Sequence, residues 1–325
     1  MHSEGTAVVS LPDQKKQIVH DKLVRELGPT IMAALSDPSV IEIILNPDGK
    51  LWLDVLGEGM HDTGERISPG KAENLLGTIA AMLETTIGHH HPMLQGELPI
   101  DGSRVQGVIR PVVSAPAFNI RKKALLIYTL EDYVSNGILE ARHAEALREA
   151  VHERKNVLIV GSTGSGKTTL ANALLHEMAQ SVGDDQRIIL IEDTVELQCA
   201  APNVVAMRTS DEVDMTGCLR ITMRMRPDRI VVGEVRDSAA LTLLKAWNTG
   251  HPGGLCTVHA NSAGAGLLRL EQLIAEDKNS HPQPELIAEA VHVIAFITRM
   301  GHSRRVTEVV RTAGVSDGHY LLEAL

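Results

Sequence analysis

The fold of this chain is decided by one stretch, Gly161-Ser162-Thr163-Gly164-Ser165-Gly166-Lys167-Thr168. It matches the pattern G-x-x-x-x-G-K-[ST] at every position, and it lies between a mostly apolar run at 156–160 and a helix-like run that starts at Thr169. Strand, glycine loop and helix in this order form a cradle for phosphate, because backbone N–H groups and the helix N-terminus face the anion. The sequence therefore predicts a nucleotide-binding P-loop over residues 161–169.

The side chains of this loop have expected roles. Lys167 should reach the β- and γ-phosphates of the nucleotide, and Thr168 should bind Mg²⁺. A glycine-rich turn without nucleotide is the alternative, and the flanking strand and helix disfavour it. ATP is favoured over GTP because the chain has no N-K-x-D segment that would select guanine.

Acidic residues follow two further apolar runs. Glu192-Asp193-Thr194-Val195-Glu196 comes after the run 188–191, and Gly233-Glu234 comes after Ile230-Val231-Val232. Ligands of open parallel sheets bind at the carboxyl ends of the strands, where these acids should lie. We expect Glu234 to be the catalytic base, with Glu192 as the alternative base, and both are candidate Mg²⁺ contacts. A solvated acidic turn and a helix-capping acid are the structural alternatives.

Two histidines flank a short apolar run at 255–258. An imidazole can hydrogen-bond a phosphate, so His251 and His259 are both candidates. The residues alone leave a functional and a structural role equally open for His259, and they favour a structural role for His251. A third group, His89-His90-His91, is predicted to be non-functional, because adjacent residues of one loop offer poor geometry to a single ion.

The pattern of apolar segments changes along the chain. After residue 140, strands and helices alternate, which predicts an α/β domain with a mostly parallel sheet over 140–325. Before residue 128, helices and hairpins predict a smaller α+β domain over 1–128, and the polar segment 129–139 predicts a linker. Arg104, Arg110 and Arg121 lie on the apolar strands of the first domain, where they could bind phosphate, although surface ion pairs are the simpler interpretation.

Composition excludes several classes of protein. The net charge is −10 and Phe, Trp and Tyr are scarce, so there is no strong nucleic-acid signal. The three cysteines are widely spaced and include no C-x-x-C pair, so the sequence predicts neither a zinc site nor a set of disulfides. This use of cysteine is typical of proteins of the reducing cytoplasm. No apolar run approaches the roughly 18 residues of a membrane-spanning helix. Any contact with the inner face of the cytoplasmic membrane is expected to be peripheral or through a partner.

Four segments, in this order, resemble the secretion ATPases that power type II and type IV secretion, pilus dynamics and conjugal transfer. GSTGSGKTT is similar to the Walker A box of that family, IEDTVEL to its Asp box, MRPDRIVVGEVRD to its Walker B box and TGHPGGLCTVHAN to its His box. The segments ELPIDGSRVQGVIRP and FNIRKK are similar to the arginine-bearing edge of the family's first domain. The chain has no tetracysteine segment, and it is most similar to the conjugal-transfer, TrbB-like branch.

The resemblance implies an ATP-hydrolysing motor for pilus assembly or DNA–protein transfer. It implies a RecA-like domain, a hexameric ring with nucleotide between the N- and C-terminal domains, and partners among the inner-membrane components of a type IV secretion apparatus. It also implies roles in turnover for Glu192, His259, Arg104 and Arg121. The residues by themselves leave two other classes open, a RecA-type nucleic-acid motor and a nucleotide-switched scaffold with little turnover.

Overall fold

The chain divides into two compact units, Met1–Leu125 and Leu126–Leu325. The structure is a computed structural model and describes residues 11–123, 127–183, 185–301 and 303–325. No helix in these ranges is both long and apolar enough to cross a membrane.

Helices pack on an antiparallel sheet in the first unit, as the sequence predicts for an α+β domain. The sheet order is β3-β2-β1-β6-β5-β4, and every neighbouring pair is antiparallel. Leu23 and Leu27 of the first helix and Leu76 of the second are buried against it. The elements of the described residues are α1 (Leu11–Ser36), β1 (Val40–Leu45), β2 (Lys50–Val55), β3 (Gly59–Arg66), α2 (Pro69–Met82), β4 (Met93–Glu97), β5 (Arg104–Val108) and β6 (Ala117–Arg121).

The structure differs from the expected elements of this unit in three places. α1 is interrupted at Gly28, which has a left-handed φ of 75° and precedes Pro29. The edge strands β3 and β4 were not predicted from the sequence. Both have few buried positions, so neither shows the apolar run by which the central strands are recognised.

A mostly parallel sheet forms the second unit, which confirms the predicted RecA-like α/β class. Its order is β14-β13-β12-β7-β11-β10-β8-β9; strands β7 to β12 run parallel, and β13 and β14 add antiparallel to one side. The helices are α3 (Leu130–Ser135), α4 (Ala141–His152), α5 (Lys167–Ser181), α6 (Met215–Thr222), α7 (Ala239–Asn248), α8 (Ala263–Ala275) and α9 (Pro284–Ala290). The strands are β7 (Val157–Val160), β8 (Ile188–Glu192), β9 (Val204–Arg208), β10 (Arg229–Val232), β11 (Leu255–Val258), β12 (Val293–Met300), β13 (Ser303–Ser316) and β14 (His319–Ala324).

The central strands are covered on both faces. Every residue of β7, β8, β10 and β11 is buried, which is why these strands appear in the sequence as mostly apolar runs. Along β7, Leu158 and Val160 belong to one core cluster, whereas Val157 and Ile159 belong to the other. The strand β7, whose carboxyl end leads into the P-loop, therefore packs against an aliphatic core on each face of the sheet.

The linker expected at 129–139 is a structured part of the second unit. Thr129 and Asp132 form a capping box at the start of α3. Leu130, Tyr133 and Leu139 are buried in the core of the second unit. The prediction of a linker was wrong because the polar residues of this segment form the cap and the exposed face of a short helix, while its few apolar residues anchor it.

Asn156 ties the amino ends of three neighbouring strands together. It is fully buried just before β7. Its Nδ2 donates to the carbonyl oxygen of Ala290 at 2.7 Å, and its Oδ1 accepts from the backbone N–H of Gly254 at 2.9 Å. Its own backbone N–H donates to Nδ1 of His292 at 2.9 Å. These contacts set the register of β11 and β12 on either side of β7.

Asn156→Ala is expected to lower the free energy of unfolding by about 2–4 kcal/mol, because it leaves a buried donor and a buried acceptor without partners. Urea denaturation gives this difference. The matched control is Asn248→Ala, which removes an exposed contact from Nδ2 to Oε2 of Glu289 and should change stability little. Equal effects of the two substitutions would contradict the role of Asn156.

Candidate nucleotide site

The P-loop has the backbone that its glycines predict. It connects β7 to α5, and Gly164 and Gly166 have left-handed φ angles of 71° and 98°. A Cβ atom on Gly161 would lie 2.4 Å from the carbonyl oxygen of Ile297, so that position has no space for a side chain. The glycines are therefore required by backbone conformation at two positions and by close packing at a third.

Lys167 is a buried cation held by the loop itself. Its Nζ donates to the carbonyl oxygens of Gly161 and Ser162, both at 3.1 Å, and lies 3.0 Å from Nδ1 of His259. An ammonium group has donors only, so Nδ1 of His259 must be the acceptor in this contact. The structure thus brings together two residues that are 92 positions apart in the sequence.

His259 is neutral and has a defined tautomer in this arrangement. Burial and the positive charge of Lys167 lower the pKa of His259, and nearby Glu234 opposes this shift. Because Nδ1 accepts from Lys167, the ring proton is on Nε2, which lies 2.7 Å from Oε1 of Glu234. That oxygen is buried and has no aligned hydrogen-bond donor in the described parts of the chain, so the contact is a close polar approach. His259 therefore lies between the P-loop and the expected base, and its role in turnover stays a prediction.

Glu234 lies beyond the carboxyl end of β10, as the P-loop lies beyond the carboxyl end of β7. Its Oε2 accepts from Nη2 of Arg236 at 2.7 Å, and Nη1 of Arg236 lies 3.6 Å from Oδ2 of Asp193. Strands β7, β11, β10 and β8 are consecutive neighbours, so the residues that follow them meet at their carboxyl ends. Sheet topology therefore assembles Lys167, His259 and Glu234 from three separate sequence motifs.

Glu192 has a structural contact in the acidic turn after β8. Its side chain is buried, and Oε1 accepts from the backbone N–H groups of Glu196 and Leu197, both at 2.9 Å. A Cβ atom on Gly233 would lie 3.0 Å from Cγ of Glu192, which explains the glycine before Glu234. One carboxylate oxygen of Glu192 is thus used to shape the turn. Its roles as alternative base and Mg²⁺ contact stay predictions.

The residues present fit a magnesium ion that is held mainly by a nucleotide. The described residues contain no group of three or more His, Cys, Asp or Glu that could hold a metal ion alone. Mg²⁺ commonly takes one or two protein ligands and completes its octahedron with phosphate oxygens and waters. Thr168 is half-buried in the first turn of α5, next to Lys167, and Glu234 has a buried oxygen that has no hydrogen-bond partner among the described residues and could contact the ion through a bound water. These two groups would suffice beside a bound triphosphate.

The arginines predicted from the first domain lie in the first unit. Arg104 and Arg121 are directly opposite each other in the β5–β6 pair. Nε of Arg121 is 3.7 Å from Oε1 of Glu42 on β1, which is the surface ion pair that the sequence left as the simpler interpretation. Nε of Arg110 donates to the carbonyl oxygen of Ser114 at 2.7 Å. The contribution of Arg104 and Arg121 to turnover stays a prediction.

Other histidines have ordinary structural surroundings. Nδ1 of His251 lies 3.2 Å from the carbonyl oxygen of Ala246, near the end of α7. His91 forms an isolated bridge with Gly88 and so closes the loop that contains the three adjacent histidines. These contacts agree with the structural role expected for His251.

Sequence reasoning missed two arginines that contact the site. Arg236 was within the Walker B-like segment, two positions after Glu234, and its spacing could have indicated it. Arg304 on β13 approaches the P-loop, with Nε 3.4 Å from the carbonyl oxygen of Gly164. Its Cδ would be 2.9 Å from a Cβ atom on Gly166. No local signal pointed to Arg304, because its position depends on the pairing of β12 with β13.

Fold and site together define a P-loop nucleotide-binding protein of the RecA-like class. A family model described as "Type II/IV secretion system protein" matches residues 98–314, and the chain belongs to this family. This confirms the resemblance that the four motifs indicated.

Two of the similar proteins are conjugal transfer proteins. The chain is 48% identical over 309 residues to the probable conjugal transfer protein TrbB of Sinorhizobium fredii, with 94% of each chain covered. It is 49% identical over 308 residues to the conjugal transfer protein TrbB of Rhizobium radiobacter, again with 94% of each covered. The crystal structure of the Legionella pneumophila ATPase DotB has the same fold, with a TM-score of 0.62, 19% identity and coverage of 90% of this chain and 80% of that one.

Two substitutions of Glu192 separate its structural contact from a role in chemistry. Glu192→Ala removes the acceptor of two backbone N–H groups and should lower the free energy of unfolding by about 1–3 kcal/mol. Glu192→Gln keeps a carbonyl oxygen at the same place and should retain most of that stability. Chemical unfolding and ATP hydrolysis are measured on both variants. Abolished hydrolysis in Glu192→Gln with wild-type stability would show that the charge of Glu192 is needed for turnover.

Proposed function

We propose that this chain is an ATP-hydrolysing motor of a conjugative type IV secretion system, which acts in pilus assembly, DNA–protein transfer or both. The observation that carries the enzymatic part is the continuous contact of Lys167, His259 and Glu234 beside the glycine loop. The conjugative part is supported by the similarity to TrbB proteins along almost the whole chain.

The P-loop would bind the triphosphate by charge compensation. Lys167 now donates to two loop carbonyls and to His259, and the oxygens of a phosphate are stronger acceptors for an ammonium than these neutral groups. Backbone N–H groups of the loop and the N-terminus of α5 add to the attraction. Mg²⁺, held by Thr168 and phosphate oxygens, would neutralise part of the charge that develops during phosphoryl transfer.

Glu234 would act as the base in hydrolysis. Its Oε1 is buried at the edge of the P-loop without a hydrogen-bond partner among the described residues, so it can accept the proton of a water molecule. As the water oxygen bonds to the γ-phosphorus, the bond from phosphorus to the β–γ bridging oxygen breaks, and ADP leaves with that electron pair. Lys167 and His259 would face the transferred group, where positive charge and a hydrogen-bond donor favour the transition state.

Glu234→Gln tests this assignment. The amide keeps the shape of the side chain and cannot accept the proton, so the steady-state rate of phosphate release should fall by about 10²–10⁴-fold. Affinity for ATP should change little, because Lys167 and the loop are intact. Binding of a fluorescent ATP analogue and phosphate release are measured on the same preparation.

Lys167→Ala provides the comparison that distinguishes binding from chemistry. It removes the cation of the P-loop and should weaken ATP binding as well as turnover. If Glu234→Gln lowers the rate of phosphate release by less than about tenfold, another group must be the base. Negligible phosphate release by the wild-type chain under all conditions would instead support a nucleotide-switched scaffold.

We also propose a homo-hexameric ring that contacts inner-membrane components of the transfer apparatus from the cytoplasm. The proposal follows from membership of the family and from the general preference of homo-oligomers for closed cyclic symmetry. Native mass spectrometry of the full chain with and without ATP is expected to show a six-subunit species that ATP stabilises. A monomer under both conditions at micromolar concentration would contradict the ring.

A further inference from the structure

We propose that Arg236 is a positioning residue for Glu234: it binds one carboxylate oxygen and so directs the other towards His259 and the P-loop. The inference rests on the proposed ATP hydrolysis and deepens it, because it identifies what orients the base. The Walker B-like segment brings Arg236 within two residues of Glu234, but its pattern assigns no role to the arginine.

The two carboxylate oxygens of Glu234 have different surroundings. Oε2 accepts from Nη2 of Arg236 at 2.7 Å, which is the length of a charge-assisted hydrogen bond. Oε1 lies 2.7 Å from Nε2 of His259 and has no aligned donor among the described residues. One oxygen is therefore fixed by an arginine, and the other remains available at the site.

Arg236 is held in turn by the neighbouring strand end. Its Nη1 lies 3.6 Å from Oδ2 of Asp193, in the turn after β8. Oδ1 of Asp193 accepts from Oγ1 of Thr209 at 2.9 Å, so this carboxylate has a fixed orientation as well. Arg236 thus connects the ends of β10 and β8, and it holds the Glu234 side chain between that bridge and His259.

The backbone alone does not orient Glu234. The N–H of Val235 donates to the carbonyl oxygen of Thr257 at 3.1 Å, which fixes the chain next to β11 and leaves the glutamate side chain free to rotate about three bonds. Arg236 removes this freedom. The hydrogen bond and negative charge of Glu234, together with Asp193, raise the pKa of Arg236, so the guanidinium remains charged at all relevant pH values.

An ordinary surface ion pair is the alternative explanation of this contact. Exposed pairs contribute little to stability or function. The carboxylate of this pair is largely buried, however: Glu234 is 16% exposed beside Arg236, which is 55% exposed, and Oε1 of Glu234 lies 2.7 Å from Nε2 of His259. Arg311 and Glu323 on the β13–β14 hairpin are 60% and 52% exposed. The second pair has the same chemistry outside the site and serves as a matched control.

The experiment compares Arg236→Gln, Arg236→Lys and Arg311→Gln with the wild-type chain. ATP hydrolysis and affinity for ATP are measured on the same samples. We expect Arg236→Gln to lower kcat by about 10–100-fold, which is the scale of losses from a misplaced catalytic group. The affinity should stay within about twofold, because the guanidinium of Arg236 contacts the carboxylates of Glu234 and Asp193, and Lys167 with its loop is unchanged.

The separation of kcat from ATP affinity is a readout that a merely structural role would not give. Damage to the local structure should lower kcat and ATP affinity together, whereas loss of the positioning contact should lower kcat alone. Arg236→Lys should restore part of kcat, because a point charge replaces a planar fork but can still bind one carboxylate oxygen.

Asp193→Asn offers a second route to the same question, since it weakens the hold on Arg236 without removing the guanidinium. A smaller loss of kcat in the same direction is expected. The inference is overturned if Arg236→Gln retains kcat within about twofold, or if its kcat and ATP affinity fall together and Arg236→Lys restores neither. Absence of hydrolysis in both the wild type and Arg311→Gln would contradict the proposed function itself, and the inference with it.

Discussion

The site depends on how one buried ammonium group is satisfied. Lys167 is enclosed by the P-loop, and a buried cation without acceptors would be very costly. Two loop carbonyls and Nδ1 of His259 satisfy it, and this last contact fixes the tautomer of the imidazole. The ring proton is then on Nε2, which lies 2.7 Å from Oε1 of Glu234. The charge on Lys167 therefore determines the orientation of groups that belong to two other strands.

The amino ends and the carboxyl ends of the parallel strands have different roles. At the amino ends, Asn156 links three strands, and the buried Arg229 donates to Oε1 of Gln186 and to the carbonyl oxygen of Val151, both at 3.0 Å. Burial and the charge of Arg154 lower the pKa of Arg229 to about 10, so it remains a cation at neutral pH. At the carboxyl ends of the strands, polar side chains point into one site, and some of their atoms lack hydrogen-bond partners within the described residues. Satisfied polar groups fix the sheet, and unsatisfied ones are available to a ligand.

Much of the second unit could be predicted because its signals are local. Four buried strands appear as apolar runs, and the P-loop appears as a glycine pattern between a strand and a helix. The segment 129–139 shows where local reasoning failed, because polar residues of a helix cap resemble those of a linker. The hairpin of β13 and β14 was also missed. Its strands have few buried positions, so the alternation of apolar residues is weak.

The sequence by itself determined that a phosphate-binding loop exists, which residues form it, and that Glu234 and His259 are candidates beside it. It also indicated the family through four ordered motifs, which the comparisons confirm. Only the tertiary structure decided which oxygen of Glu234 is available, that Glu192 shapes its own turn, and that Arg236 and Arg304 contact the site. The physical reason is that motif chemistry is encoded in consecutive residues, whereas the orientation of a side chain depends on partners that strand order brings from distant segments.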